Sequence, residues 1–248
     1  MIVESEKEIN SLKAIGRVVA QTLKLMMEQA QPGMTTAELD NIGREFLEKE
    51  GAQSAPQVMY SFPGATCISI SPVIAHGIPG DQVLQAGQLI NIDVSAEMGG
   101  YFADTGGSMV VAKQVSEYDK MIEATKSALV KAVQAARAGQ PLNGIGKAIQ
   151  DEAKRNGFGV IFDLTGHGIG HKLHEEPTQV YNYYKPKDRR ILDEGVVLAI
   201  EPFLTTGRGH IFEESDGWSL RTIDRTVAAQ FEHTVIVTKD EPIILTLA

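Results

Sequence analysis

Asp93 and Asp104 lie in Leu89-Ile-Asn-Ile-Asp93-Val-Ser-Ala-Glu97-Met98-Gly99-Gly100-Tyr-Phe-Ala-Asp104-Thr, two carboxylates in stretches otherwise built for a sheet. Leu89, Ile90, Ile92 and Val94 lead through the first stretch, and Met109, Val110 and Val111 leave the second, the apolar content of strands. Glu97-Met98-Gly99-Gly100 reads as the turn between them. A hairpin folded about the bond from Met98 to Gly99 sets Asp93 directly opposite Asp104. Opposed residues hold their Cβ atoms about 4.5–5.5 Å apart, where like charges destabilise. At about 5 Å and an effective dielectric of about 20, the repulsion is about 3 kcal/mol. A cation between the carboxylates reverses that sign, so the pair reads as part of a metal site, as two acids on a wet sheet edge, or as a hairpin with a different turn register.

Three further residues carry the same question. Glu201 ends the run Val196-Val-Leu-Ala-Ile200 and precedes Pro202, whose missing amide confines it to a strand end or edge. An acid there is either exposed or a ligand. Glu232 precedes Val235, Ile236 and Val237, a run apolar enough to be buried on both faces. A carboxylate there needs a partner, either a cation or Arg221 or Arg225, because burying it alone is strongly unfavourable. His167 sits in Thr165-Gly166-His167-Gly168-Ile169-Gly170-His171. Its glycines let the backbone bend and carry the imidazole to a centre, and they disfavour the helix that an i,i+4 pair of His167 and His171 would need. No His-Glu-x-x-His occurs, and the Gly-x-Gly-x-Gly run is not a dinucleotide fingerprint.

The elements that must position these groups follow from periodicity and punctuation. A helix opens on the capping box of Ser5 and Glu8, carries Ile9, Leu12, Ile15, Val19, Leu23 and Met26 on one face, and stops at Pro32-Gly33. A second opens on Thr35 and Glu38, buries Leu39, Ile42, Phe46 and Leu47, and stops at Gly51. Strands follow to about residue 111. Then the order repeats: helices over 116–136 and 142–156, and strands at 196–201 and 226–238. An ungapped shift of one half onto the other aligns Gly33 with Gly139, Leu39 with Ile145 and Gly51 with Gly157. The reactive residues repeat as well. His76-Gly-Ile-Pro79 answers to His174-Glu-Glu-Pro177, Asp93 to Glu201, and Asp104 to Glu232. The expected architecture is α+β, an antiparallel sheet backed by helices with an internal approximate two-fold, and one site at its axis.

Asp93, Asp104, His167, Glu201 and Glu232, together with His76-Gly-Ile-Pro, Thr-Gly-His167-Gly-Ile-Gly, His174-Glu-Glu-Pro and Ile-Glu201-Pro, resemble the dinuclear metal site of the methionine aminopeptidases. The resemblance spans essentially the whole chain. It implies the pita-bread fold, and two divalent cations drawn from Co²⁺, Mn²⁺, Fe²⁺ or Zn²⁺. It also implies hydrolysis, by a metal-bridging water, of the bond after an initiator methionine whose next residue is small. Asp93 would bind one cation, Asp104 and Glu232 would bridge both, and His167 with Glu201 would bind the other. Glu201 would also assist deprotonation of the water, His174 would meet the scissile carbonyl oxygen, and His76 would meet the peptide nitrogen. Phe62, Cys67 and Trp218 would line the methionine pocket, with Met59 where bacterial relatives often carry an aromatic. Leu173 stands where many carry Phe, and Ser71-Pro72 replaces the commoner Asn-Glu.

Rivals are weighed on residues too. Aminopeptidase P and prolidase share the five ligands but normally carry an added N-terminal domain, for which a first helix beginning near residue 5 leaves no room. A non-catalytic binding module of this fold usually loses ligands, and all five are kept here. Dinuclear phosphoesterases use acids and histidines in a different order. The chain also lacks the long N-terminal extension and helical insertion of other methionine aminopeptidase types, which leaves the compact bacterial type, type I.

Size and charge agree. The 248 residues suit one catalytic domain over 1–248. A net charge of −9 argues against a sequence-independent nucleic-acid binder, which needs a basic footprint. Cys67 is the single cysteine, so an intramolecular disulfide and a Cys-based zinc site are excluded. The acidic N-terminus lacks a secretory pattern, and no apolar run is long enough for a bilayer. The expectation is a cytoplasmic monomer that meets nascent polypeptides, in transient contact with the ribosome, without binding nucleic acid or membrane itself.

Overall fold

The computed structural model describes residues 1–112 and 115–248. Among the described residues five helices are formed: α1 (Glu6–Gln29), α2 (Thr36–Lys49), α3 (Ala55–Tyr60), which falls where the sequence pattern gives only strands, α4 (Asp119–Ala135) and α5 (Asn143–Asn156). The capping boxes of Ser5 with Glu8 and Thr35 with Glu38 are both made, each satisfying backbone N–H groups that the first turn leaves free. α4 starts three residues later than the periodicity suggests, because Ser116 and Asp119 bond each other and close a turn ahead of the helix. No helix among the described residues is long and apolar enough to cross a membrane.

The repeat is visible as two cores. Ile15, Val19 and Met26 of α1 with Leu39 and Leu47 of α2 pack on Ile90, Ile92 and Val94 of the strand Leu89–Met98. In the second half Met121 and Leu129 of α4 with Ile145 and Ile149 of α5 pack on Leu198, Ile200 and Val235. Gly33 with Gly139 and Gly51 with Gly157, paired by the sequence shift, all adopt positive φ. The first sheet pairs Leu89–Met98 with Gln53–Ser54, Cys67–Ile70 and Tyr101–Val110. The second has five strands, in which Val197–Ile200 lies between His233–Ile236 and Thr165–Gly168.

Alternation along Leu89–Met98 sends Ile90, Ile92 and Val94 to the helices and Asn91, Asp93 and Ser95 to the opposite face. The register differs from the expected one. Met98 pairs with Tyr101 around Gly99-Gly100, so Asp93 faces Gly106 and Asp104 faces Ser95. Both turn glycines have positive φ, 63° and 87°, the requirement of a tight two-residue hairpin, and the Gly100 N–H donates to Glu97 Oε1. The shift is by two residues, so the aspartates stay on one face as diagonal neighbours and are not directly opposed.

The expected strand over 226–238 is broken at Phe231-Glu232 into Ala228–Gln230 and His233–Ile236, which belong to different sheets. The break is where the halves join. The Asp104 N–H donates to Thr234 Oγ1, which donates to the Asp104 carbonyl. Glu232 N–H donates to the Gly106 carbonyl, and Thr105 Oγ1 to the Glu232 carbonyl.

Candidate active site

That seam brings Asp104 and Glu232 together at the floor of a cavity of about 110 Å³. The cavity is lined by Asp93, Asp104, His167, Glu201 and Glu232, by His76 and His174, and by Phe62, Cys67 and Trp218. Ten of the eleven residues singled out in the sequence are thus gathered from both halves of the chain. Met59 is the exception: it is 37 % exposed at the end of α3 and does not line the cavity. Its neighbour Tyr60 does, because one step along a helix turns a side chain by about 100°.

His167 is 3 % exposed on the strand Thr165–Gly168. Its Nδ1–H donates to the Gly168 carbonyl at 3.0 Å, which leaves a lone pair on Nε2. That atom lies 3.9 Å from Asp104 Oδ2 and 3.8 Å from Glu201 Oε1. Burial, and then neighbouring His174, hold the imidazole down at a pKa of about 3, so it is neutral. Ligand atoms of Asp104, His167 and Glu232 lie within 4.8 Å of one another. Asp93 and Glu201 flank them.

The four carboxylates share a desolvated space. Burial pushes Asp93 up to about 6, with a hydrogen bond to Asp104 acting the other way. Asp104 is raised by burial and then by Glu232 and Asp93. Glu201 is raised by burial and then by Asp104 and Asp93, and Glu232 by burial and then by Glu201 and Asp93. Asp104 Oδ1 and Glu232 Oε1 are buried without a hydrogen-bond partner. Among the described residues neither Arg221 nor Arg225 forms an ion pair with Glu232; Arg221 Nε pairs with Glu214 at 2.8 Å instead. Oxygen-rich ligands with one imidazole nitrogen, repelling one another and holding orphaned oxygens inward, fit divalent cations. His171 takes no part; it is exposed, with Nδ1 3.4 Å from the Gly100 carbonyl.

The mouth is built from the two repeated histidine motifs. His76 turns out of the strand Val73–Ala75 with φ 53°, and Gly77 behind it presses on the chain, since a Cβ there would lie 2.3 Å from the Ile68 carbonyl. Its pKa is lowered by desolvation, opposed by Glu213. His174 is lowered by desolvation and then by His76. Tyr60 Oη lies 2.7 Å from His174 Nδ1, a contact the sequence reading missed. The signal available was Ser54-Ala-Pro56, a helix start ahead of Tyr60; Ser54 does cap α3. On the wall, Phe62 and Trp218 meet edge to face with centroids 5.1 Å apart. Cys67 pairs with Asp93 across the sheet and Leu173 closes the cavity beside them.

The profile of Metallopeptidase family M24 matches residues 10–239. The chain belongs to that family. It is 48 % identical over 247 residues to Methionine aminopeptidase 2 of Bacillus subtilis (strain 168), covering 99 % of each. It is 38 % identical over 252 residues to the methionine aminopeptidase of Aquifex aeolicus (strain VF5), covering 98 % of this chain and 97 % of that one. Among solved structures, the methionine aminopeptidase of Rickettsia prowazekii superposes with a TM-score of 0.94 at 35 % identity, all of both chains being covered. Full-length likeness of this degree places the chain among the methionine aminopeptidases of the family. The prolidase of Pyrococcus furiosus, at 23 % identity, a TM-score of 0.80 and 66 % coverage of its own chain, shares the pita-bread fold.

Proposed function

We propose that the chain hydrolyses the bond after an N-terminal methionine, preferring a small second residue, at a site that takes two divalent cations. One observation carries this reading: the same cavity has an acidic, imidazole-bearing floor and an apolar wall of Phe62 and Trp218. Asp93 would hold one cation, His167 and Glu201 the other, and Asp104 and Glu232 both. Cations so held would lower the pKa of water and polarise a carbonyl. The remaining work falls to the chain. Glu201 takes the proton of the attacking water and passes it to the leaving amine. With Tyr60 donating across its 2.7 Å contact to His174 Nδ1, the His174 proton would sit on Nε2 to meet the scissile carbonyl oxygen. His76 meets the peptide nitrogen. Phe62, Cys67 and Trp218 surround the thioether. Residues 1–248 act as one catalytic domain in this reading, because both halves supply ligands. Nascent polypeptides in the cytoplasm are the substrates, met in passing contact with the ribosome by a monomer.

The test is methionine release from Met-Ala-Ser, Met-Leu-Ser and Ala-Pro-Ser by protein stripped of metal and reloaded with Mn²⁺ or Co²⁺. Release from Met-Ala-Ser alone is expected, with Asp104→Asn inactive. Cleavage of Ala-Pro-Ser instead would move the assignment to a proline-directed peptidase, and no cleavage by loaded protein to a binding role.

A further inference from the structure

Gln230 ends the strand Ala228–Gln230 and is 1 % exposed. Around it lies a closed set of buried hydrogen bonds whose direction can be read. Ser108 Oγ donates its single proton to the Gln230 carbonyl at 3.1 Å, so it accepts from Gln230 N at 2.9 Å and from Asn91 Nδ2 at 3.3 Å. Asn91 Nδ2 also donates to Gln230 Oε1 at 2.7 Å. With its oxygen engaged by Asn91, the Gln230 amide can present only its N–H to the far side. There Nε2 meets Glu232 Oε2 at 3.0 Å. Gly106 makes the passage: a Cβ at that position would lie 2.6 Å from Gln230 Oε1 and 2.8 Å from Nε2. Glu232 Oε2 is thereby satisfied, while Glu232 Oε1 is buried without a partner, and a carboxylate oxygen of Glu232 lies within 4.8 Å of ligand atoms of Asp104 and His167.

We infer that Gln230 is a positioning residue, whose amide, aligned by Asn91 and Ser108, holds one oxygen of Glu232 and turns the other to receive a divalent cation. The inference rests on the reading of Glu232 as a metal ligand. Asn91 lies two residues before Asp93 on the face of Leu89–Met98 turned from the helices, so this network ties ligand-bearing segments of both halves together. A donor at Oε2 keeps that oxygen an acceptor without adding charge to the site.

The test is calorimetric titration of Mn²⁺ into the full chain stripped by chelator, for the wild type, Gln230→Met and Asn91→Ala, with a thermal melt of each stripped protein. Gln230→Met keeps similar length and loses the donor; Mn²⁺ binding weaker by about tenfold or more is expected, the usual effect of losing an outer partner of a metal ligand. Asn91→Ala frees the amide to flip and is expected to weaken binding in the same direction by less; it carries the test if Gln230→Met does not fold. Wild-type Mn²⁺ affinity in the folded variants, with or without a lowered melting temperature, overturns the inference. A wild-type protein that takes up no Mn²⁺ would instead defeat the metal reading itself.

Discussion

A single hydrogen bond, from His167 Nδ1–H to the Gly168 carbonyl, decides which nitrogen of that ring faces the carboxylates. The contact of Tyr60 Oη with His174 Nδ1 anchors the second ring at the mouth. Tyr60→Phe is therefore expected to lower kcat/KM on Met-Ala-Ser about five- to tenfold, the effect of one hydrogen bond, while calorimetric Mn²⁺ affinity stays unchanged. The carboxylates give a pH prediction. Asp93 rises to about 6 on folding, from about 3.9 in an unfolded chain. A carboxyl whose folded pKa is raised contributes stability present below about pH 4 and lost as pH climbs through 6. In metal-free protein, Asp93→Asn should thus gain urea resistance relative to wild type between about pH 4 and 6. A difference that stays flat across that window would remove the electrostatic account of the floor.

At the scale of elements, the hairpin shows why the aspartates could be placed on a face but not opposite one another. Side-chain alternation has a period of two, so the two-residue register shift caused by the tight Gly99-Gly100 turn leaves every residue on its original face. The seam between Tyr101–Val110 and His233–Ile236 has no such tolerance. Thr234 is fully buried and its hydroxyl serves both the N–H and the carbonyl of Asp104. Thr234→Val should cost about 1–3 kcal/mol in urea denaturation, the penalty for leaving buried polar groups unpaired. It should also weaken Mn²⁺ binding, because Asp104 would lose its backbone anchor.

Across the whole molecule, the site is a junction: each half has its own helix-backed core, and candidate ligands from both meet between them. Cation binding should stabilise the fold as a whole. At a free Mn²⁺ concentration about 100 times the dissociation constant, linkage gives about 2.7 kcal/mol per site, read as a rise in melting temperature that Asp104→Asn abolishes. The sequence by itself determined α1, α2, α4 and α5, the caps of α1 and α2, the repeat and the order of reactive residues, because capping, periodicity and glycine punctuation act over a few neighbours. It also determined that Asp93 and Asp104 share one face of the hairpin, because alternation has a period of two. Tertiary structure decided the hairpin register, the break at Phe231-Glu232, the choice of Tyr60 over Met59, and the Asn91–Gln230–Glu232 alignment. Each of those depends on where two distant segments meet, and a contact such as Asn91 to Gln230 leaves no local pattern in the chain.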